Sequence, residues 1–203
     1  ALSYYTSNRG WNQYYYAGVD CSAYTGWIIY NITNTEDSTV ANNENGYVGS
    51  STKQAKNLAA KGWGTWNHDT AAVAAAGELK VGDIVSMSGH VWVVLGVCED
   101  GSVVFMHSTP SISRDGYGEG GGIQISALDL DGREDCMAIQ LANHYMETYY
   151  PQWCERYSPV LKGESYIKVY DSHHPDADNY RFRKAGRFSW DLSGNGLLTD
   201  PEG

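Results

Sequence analysis

The sequence predicts an α+β domain in which a helix beginning at Cys21 packs on an antiparallel sheet. Helical periodicity comes first, in residues 20–31 and 51–61. Val- and Ile-rich runs follow from about Asp83, joined by tight turns such as Glu99-Asp100-Gly101. Helices followed by hairpin-linked strands make an α+β order, not the strand–helix alternation of a doubly wound sheet.

The elements read in order as follows. Residues 1–19 are rich in Tyr and Gly without a period, and predict loop with short turns. Cys21, Tyr24, Ile28 and Ile32 recur at three to four residues, the spacing of one helix face, with Asp20 as N-cap. Residues 33–50 are polar and predict a long loop. A second helix is predicted over 51–61, capped by Ser50 or Ser51 and stopped by Gly62. A short Ala-rich helix is expected over 69–76, before a turn at Gly77. Strands are predicted at Ile84–Met87, Val91–Val97, Val103–Met106 and Gly122–Ser126, with a Gly-rich loop from Ser111 to Gly122. Residues 137–150 predict a helix, and SYIKVY and YRFR after Ser165 read as strand-like pieces. No repeat is visible; one domain over 1–190 is expected, with a tail over 191–203.

Composition excludes several classes of function. The net charge of −10 argues against nucleic acid, whose binding needs a basic face. No apolar run approaches the roughly 18 residues of a membrane span. Sixteen Tyr against three Phe suggest aromatic surfaces that stay partly wet, as in sugar or peptide grooves, or aromatic-rich β packing. The chain begins at Ala1 without Met or signal peptide, and reads as a processed protein or an excised domain. Cys21, Cys98, Cys136 and Cys154 lack the CxxC spacing of a zinc site; Cys136 and Cys154 could pair in an exported protein.

Three residues carry the chemistry. A thiol attacks as thiolate, and a helix N-terminus lowers its pKa while offering N–H groups to a developing oxyanion. VDCSAYTGW puts Cys21 at such a terminus; by itself a Cys there is more readily a small core residue. His90 opens a strand in GHVWVV, and His107 closes the next in VVFMHS. A four-residue loop, Cys98–Gly101, would set His107 opposite Trp92. His90 would then be a diagonal neighbour on the same face, roughly 7–8 Å away at the backbone. An odd loop without a bulge would break that parity. In this arrangement His90 takes the Cys21 proton while His107 holds its other nitrogen.

The order and wording of these segments resemble the NlpC/P60 cysteine peptidases. DCSAYTGW resembles their DCSGF motif, LKVGDIVSMSGHVWVVLGV their GDLVFF…HVGIY segment, and SVVFMHSTPS with GGGIQIS their third segment. The likeness covers roughly residues 11–130, with Ala23 where the family has Gly. It implies a papain-like fold with Cys21 as nucleophile, His90 as base and His107 as third residue. It also implies a substrate-binding set of Asp20, Ser22, Tyr16 and Trp92; the family's upstream tyrosine falls among Tyr14, Tyr15 and Tyr16. Asp20 would hold a substrate amine. The implied activity is a secreted or wall-associated endopeptidase cutting D-glutamyl–diamino acid bonds in peptidoglycan stem peptides, without a catalytic cofactor. Rival readings are a CHAP-type amidase, whose third residue is more often acidic, a catalytically silent wall- or glycan-binding module, and an acyltransferase using the same thioester chemistry.

The tail carries a separate signal. Asp191, Ser193, Asn195, Thr199 and Glu202 fall at positions 1, 3, 5, 9 and 12 of an EF-hand-like calcium loop, with Gly196 at its turn and the Leu197 carbonyl as backbone ligand. Such a calcium ion would be structural; the alternative is a solvated polar tail. His173 and His174 lie in a polar stretch and read as a solvated turn.

Overall fold

The computed structural model describes residues 19–33, 47–68, 70–87, 89–112, 119–156 and 186–191. In chain order these form α1 (Cys21–Thr33), α2 (Gln54–Ala60), β1 (Gly64–Asn67), α3 (Thr70–Ala75), β2 (Ile84–Met87) and β3 (His90–Val97). They continue with β4 (Val103–Ile112), β5 (Glu119–Leu128), α4 (Met137–Tyr149), α5 (Pro151–Arg156) and β6 (Gly186–Trp190). The strands make one sheet of order β1-β6-β2-β3-β4-β5, antiparallel at every pairing. The α+β class expected from the sequence is therefore the class observed.

Every residue of β2 and the first five of β3 are buried, because the centre of the sheet is covered on both sides. On one face Tyr24, Ile28 and Ile29 of α1 and Ala55 and Leu58 of α2 meet Ile84, Val91, Val93 and Phe188. Ala138, Ile139, Ala142 and Met146 of α4 cluster with Ala127, and Val104 and Ile125 pack against them. On the other face Val85, Met87, Trp92, Val94, Phe105 and Leu128 gather under Val73 and Leu79. Burying a side chain such as Phe188 or Ile84 stabilises the fold by roughly 1.5–3 kcal/mol.

Several expectations are corrected here. The buried stripe of α1 runs through Ile28 and Ile29, whereas Ile32 is exposed. Neither Ser50 nor Ser51 caps α2: Lys53 holds the N-cap position without a side-chain bond, and Ser50 contributes only its carbonyl to a turn. Gly62 does end that helix, at φ 78°, its N–H donating to Ala59 O. The described ends of the stretch expected to be a loop from Ser111 to Gly122, residues 111–112 and 119–122, are strand. β4 runs to Ile112 and β5 starts at Glu119, and the two pair without a break from Val103–Leu128 to Ile112–Glu119. Glycines suppress strand propensity in the sequence, but a long ladder outweighs it.

Strands β1 and β6 have no counterpart in the sequence reading. Their crossing needs small residues: a Cβ on Gly64 would overlap Ser189 O, and one on Gly186 would overlap the Trp66 indole. The strand-like pieces after Ser165, and His173 and His174, lie outside the described residues. Cys136 and Cys154 share the α4 cluster, with Cys98 packed against it, and all four cysteines are free thiols. Among the described residues no helix is long and apolar enough to cross a membrane.

Candidate active site

The two histidines meet by way of a compensated register. The β3–β4 loop has five residues, since Val97 pairs with Val103. An odd loop alone would put His90 and His107 on opposite faces. A bulge at Leu95, between the pairs Gly96–Val104 and Val94–Phe105, supplies the missing residue. The register then runs through Val93–Met106, and its continuation sets His107 beside Trp92, as the four-residue loop would have done. His90 Nε2 lies 2.8 Å from His107 Nδ1, with the rings edge to face. Both side chains are buried, at 3% and 0% exposure.

A second shell of polar atoms stands behind the pair. His107 Nε2 is 2.8 Å from Ser126 Oγ and 3.2 Å from Gln124 Nε2, both on β5. Sequence reasoning did not single out either residue. The signal was present, since Gln124 and Ser126 alternate with Ile123 and Ile125, but the polar face looked like the wet one. In the structure it is the buried one.

Cys21 arrives from the helix-covered face. The β3–β4 ladder ends at Val93–Met106, and residues 19–21 enter where the strands part. Ser108 Oγ donates to Val19 O. The N–H groups of Val91, Ser22 and Cys21 itself favour the thiolate. Cys21 packs against the cluster that contains Val91, the residue after His90; among the described contacts none joins Sγ to the His90 ring. Gln54 supports this terminus from α2, its Nε2 donating to Ser22 O at 3.1 Å and to Tyr47 O at 3.0 Å.

Asp20 caps α1 as expected: its Oδ1 accepts the Ala23 N–H at 2.8 Å and the Ser22 hydroxyl at 2.9 Å. The helix N-terminus does not make Cys21 acidic. Burial pushes its pKa up, the Val91 N–H pulls it down, and the Asp20 charge pushes it up again. Burial also pushes His90 down to about 3. His107 is held well below the ordinary histidine range, first by burial and then by the neighbouring His90. Thiol and imidazoles therefore rest neutral.

The remaining candidates separate. Trp92, expected to bind substrate, is instead a core residue, 1% exposed and 4.6 Å from the Phe105 ring. Alternation puts it on the face of the histidines, but one position deeper under the sheet's cover. Ser22 is half-buried beside the thiol, and Tyr16 lies outside the described residues, as do Tyr14 and Tyr15. Of the calcium loop only Asp191 is described: it is exposed, and its N–H donates to Trp63 O at 3.0 Å. Ser193, Asn195, Leu197, Thr199 and Glu202 lie outside. Among the described residues no cluster of His, Cys, Asp and Glu could hold a metal ion.

No protein-family model matches the chain, and neither a curated protein nor a solved structure does. The likeness to the NlpC/P60 peptidases rests on the three quoted segments alone.

Proposed function

We propose that the protein is a papain-like cysteine hydrolase that cuts amide bonds in peptidoglycan stem peptides, as the resemblance to the NlpC/P60 peptidases implies. The observation that carries the reading is the buried His90 Nε2–His107 Nδ1 bond, with a helix-start thiol packed against the cluster that holds Val91, the next residue of the same strand. With Nε2 engaged by His107, Nδ1 is the His90 nitrogen that exchanges a proton with sulfur. The reach from Sγ to that ring closes when substrate binds, as catalytic hydrogen bonds commonly do.

In this mechanism the proton moves from Sγ to His90 Nδ1 as sulfur attacks the amide carbon, because neither group is charged beforehand. The carbonyl oxygen becomes an oxyanion, held by backbone N–H groups at the start of α1. His90 then protonates the leaving amine, the C–N bond breaks and a thioester remains. Water attacks the thioester, giving its proton to His90, and Sγ leaves and is reprotonated. His107 fixes the ring of His90 throughout. In this reading the exposed carboxylate of Asp20 holds a free amine on the stem peptide.

Digestion of purified peptidoglycan by the wild type and by Cys21→Ala, read by mass spectrometry, tests the reading. Defined stem fragments from the wild type alone support it, and their masses name the bond. Sugar-linked amide cleavage would instead favour the CHAP-type amidase. No fragments from a wild type whose Cys21 is reduced and alkylatable would refute wall hydrolysis.

A further inference from the structure

Two buried polar side chains behind the histidine pair, Gln124 and Ser126, at 2% and 1% exposure, have no part in the mechanism above. Their neighbours on that face are Phe105, Trp92 and Leu128, which form an apolar core. A hydroxyl or carboxamide placed there costs free energy unless it is hydrogen-bonded. Both converge on one atom, His107 Nε2. The register explains how: Gln124 stands directly opposite His107, and Ser126 is opposite Phe105, hence diagonal to His107 on the same face.

Two neutral imidazoles joined Nε2 to Nδ1 can order their protons in two ways. In one, His107 Nε2–H donates toward β5, His107 Nδ1 accepts from His90 Nε2–H, and His90 Nδ1 is a bare base. In the other every donor is reversed, and His90 Nδ1 carries a proton and cannot take one from sulfur. A serine hydroxyl serves either order, because it donates and accepts. A glutamine side chain chooses between them, presenting oxygen in the first and N–H in the second. The structure sets the Gln124 Nε2 against His107, and the first order requires that amide turned by half a turn; oxygen and nitrogen of a carboxamide are assigned by their hydrogen bonds and not by shape.

We propose that Gln124 and Ser126 are positioning residues that accept the His107 Nε2–H and so lock His90 in the tautomer whose Nδ1 is a base. The inference rests on the reading of Cys21 and His90 as nucleophile and base. The charge that appears on His90 during turnover is then met by the lone pair of His107, itself backed by Ser126 Oγ and by the Gln124 carboxamide once its oxygen is turned toward the ring.

Nitrogen-15 spectra of the imidazoles in the wild-type protein test it without any substrate. The expected result is a protonated Nε2 and a bare Nδ1 on His107, and the same on His90. Spectra with His107 Nδ1 protonated would overturn the proposal. Ser126→Ala, Ser126→Thr and Gln124→Met then give a second readout, the iodoacetamide alkylation rate at the Cys21 peptide. Ser126→Ala and Gln124→Met should slow it by about tenfold or more, and Ser126→Thr, which keeps the hydroxyl, should stay within about threefold of wild type. Folded Ala and Met variants that alkylate at the wild-type rate would also overturn it. Expected tautomers and rates together with an inert wild type on peptidoglycan would remove the wall-hydrolase reading and leave the positioning roles standing.

Discussion

A carboxylate one residue before a nucleophilic thiol acts in two directions. Asp20 caps α1, which holds Cys21 in place, while its charge pushes the thiol pKa up. Asp20→Asn keeps the cap, since Asn serves as well as Asp there, and removes the charge. Alkylation of Cys21 at neutral pH should then rise roughly two- to threefold, a modest gain because an exposed charge is screened. If Asp20 also holds a substrate amine, turnover of a stem peptide should fall on the order of tenfold in the same variant. Opposite movements of the two rates separate the roles; a parallel rise would deny Asp20 any part in binding. The buried histidines make a second prediction at this scale. The unfolded chain binds protons on both below about pH 6.5, whereas folded His90 waits until about 3 and His107 is held well below its ordinary range. Stability is therefore full above about pH 6.5 and falls as pH drops, by up to about tenfold in the folding equilibrium per unit per histidine. Urea midpoints between about pH 6.5 and 4.5, above the carboxylate range, should show this slope, and His107→Asn should make it shallower. Equal slopes in the two proteins would mean that His107 is not held neutral.

At the scale of elements the site depends on counting. Leu95 is the one extra residue of β3, and with the five-residue loop it returns His90 and His107 to one face. The sequence reading had the right outcome from the wrong parts, because a four-residue loop without a bulge gives the same register. Nothing in LGVCEDGS distinguishes the two, since a bulge is paid for by pairing on both flanks rather than by any local residue preference. The contrast has a test. Deleting Leu95 makes the pairs Gly96–Val104 and Val94–Phe105 consecutive and leaves everything beyond Val93 in place. That variant should fold with a loss of no more than about 2 kcal/mol and keep the His90–His107 bond. Inserting one alanine between Trp92 and Val93 instead turns His90 to the opposite face. Thiol reactivity of Cys21 and the imidazole spectra should survive the deletion and change in the insertion. The opposite pattern would mean that the bulge itself shapes the site. A similar economy caps α4: the turn after β3 supplies Asp100 to the Met137 N–H at 2.8 Å and Ser102 to the Ala138 N–H at 3.0 Å. Neither bond is legible in sequence, because donor and acceptor lie 37 and 36 residues apart.

At the scale of the molecule, what was legible was whatever a short window encodes. The helix at Cys21 and the strands through His90 and His107 follow from period and spacing. The insertion of β6 between β1 and β2 does not, since GRFSW carries no mark of the strands it will join. Its partner is specified at long range by charge. Arg187 Nε lies 2.7 Å from Asp83 Oδ2, with side chains 7% and 1% exposed. The same guanidinium donates to Glu78 O at 2.7 Å and to Asn67 Oδ1 at 3.1 Å, so one side chain ties β6 to β1 and to the approach to β2. Asp83 also accepts the Lys80 N–H at 2.8 Å and opens the strand that leads to His90. Arg187→Met removes the cation and leaves the Asp83 charge buried, which should cost about 3–5 kcal/mol. Arg187→Met with Asp83→Asn removes both charges and should recover part of that loss, because an unpaired buried charge costs more than a missing pair. Denaturant unfolding of the two variants measures the difference. Equal losses would mean that Asp83 is met by other groups once Arg187 is gone. The single variant should leave the alkylation rate of Cys21 in the folded protein unchanged, since among the described contacts Arg187 touches no residue of the site. A loss of thiol reactivity in folded Arg187→Met would instead show that the sheet transmits strain from β6 to β3.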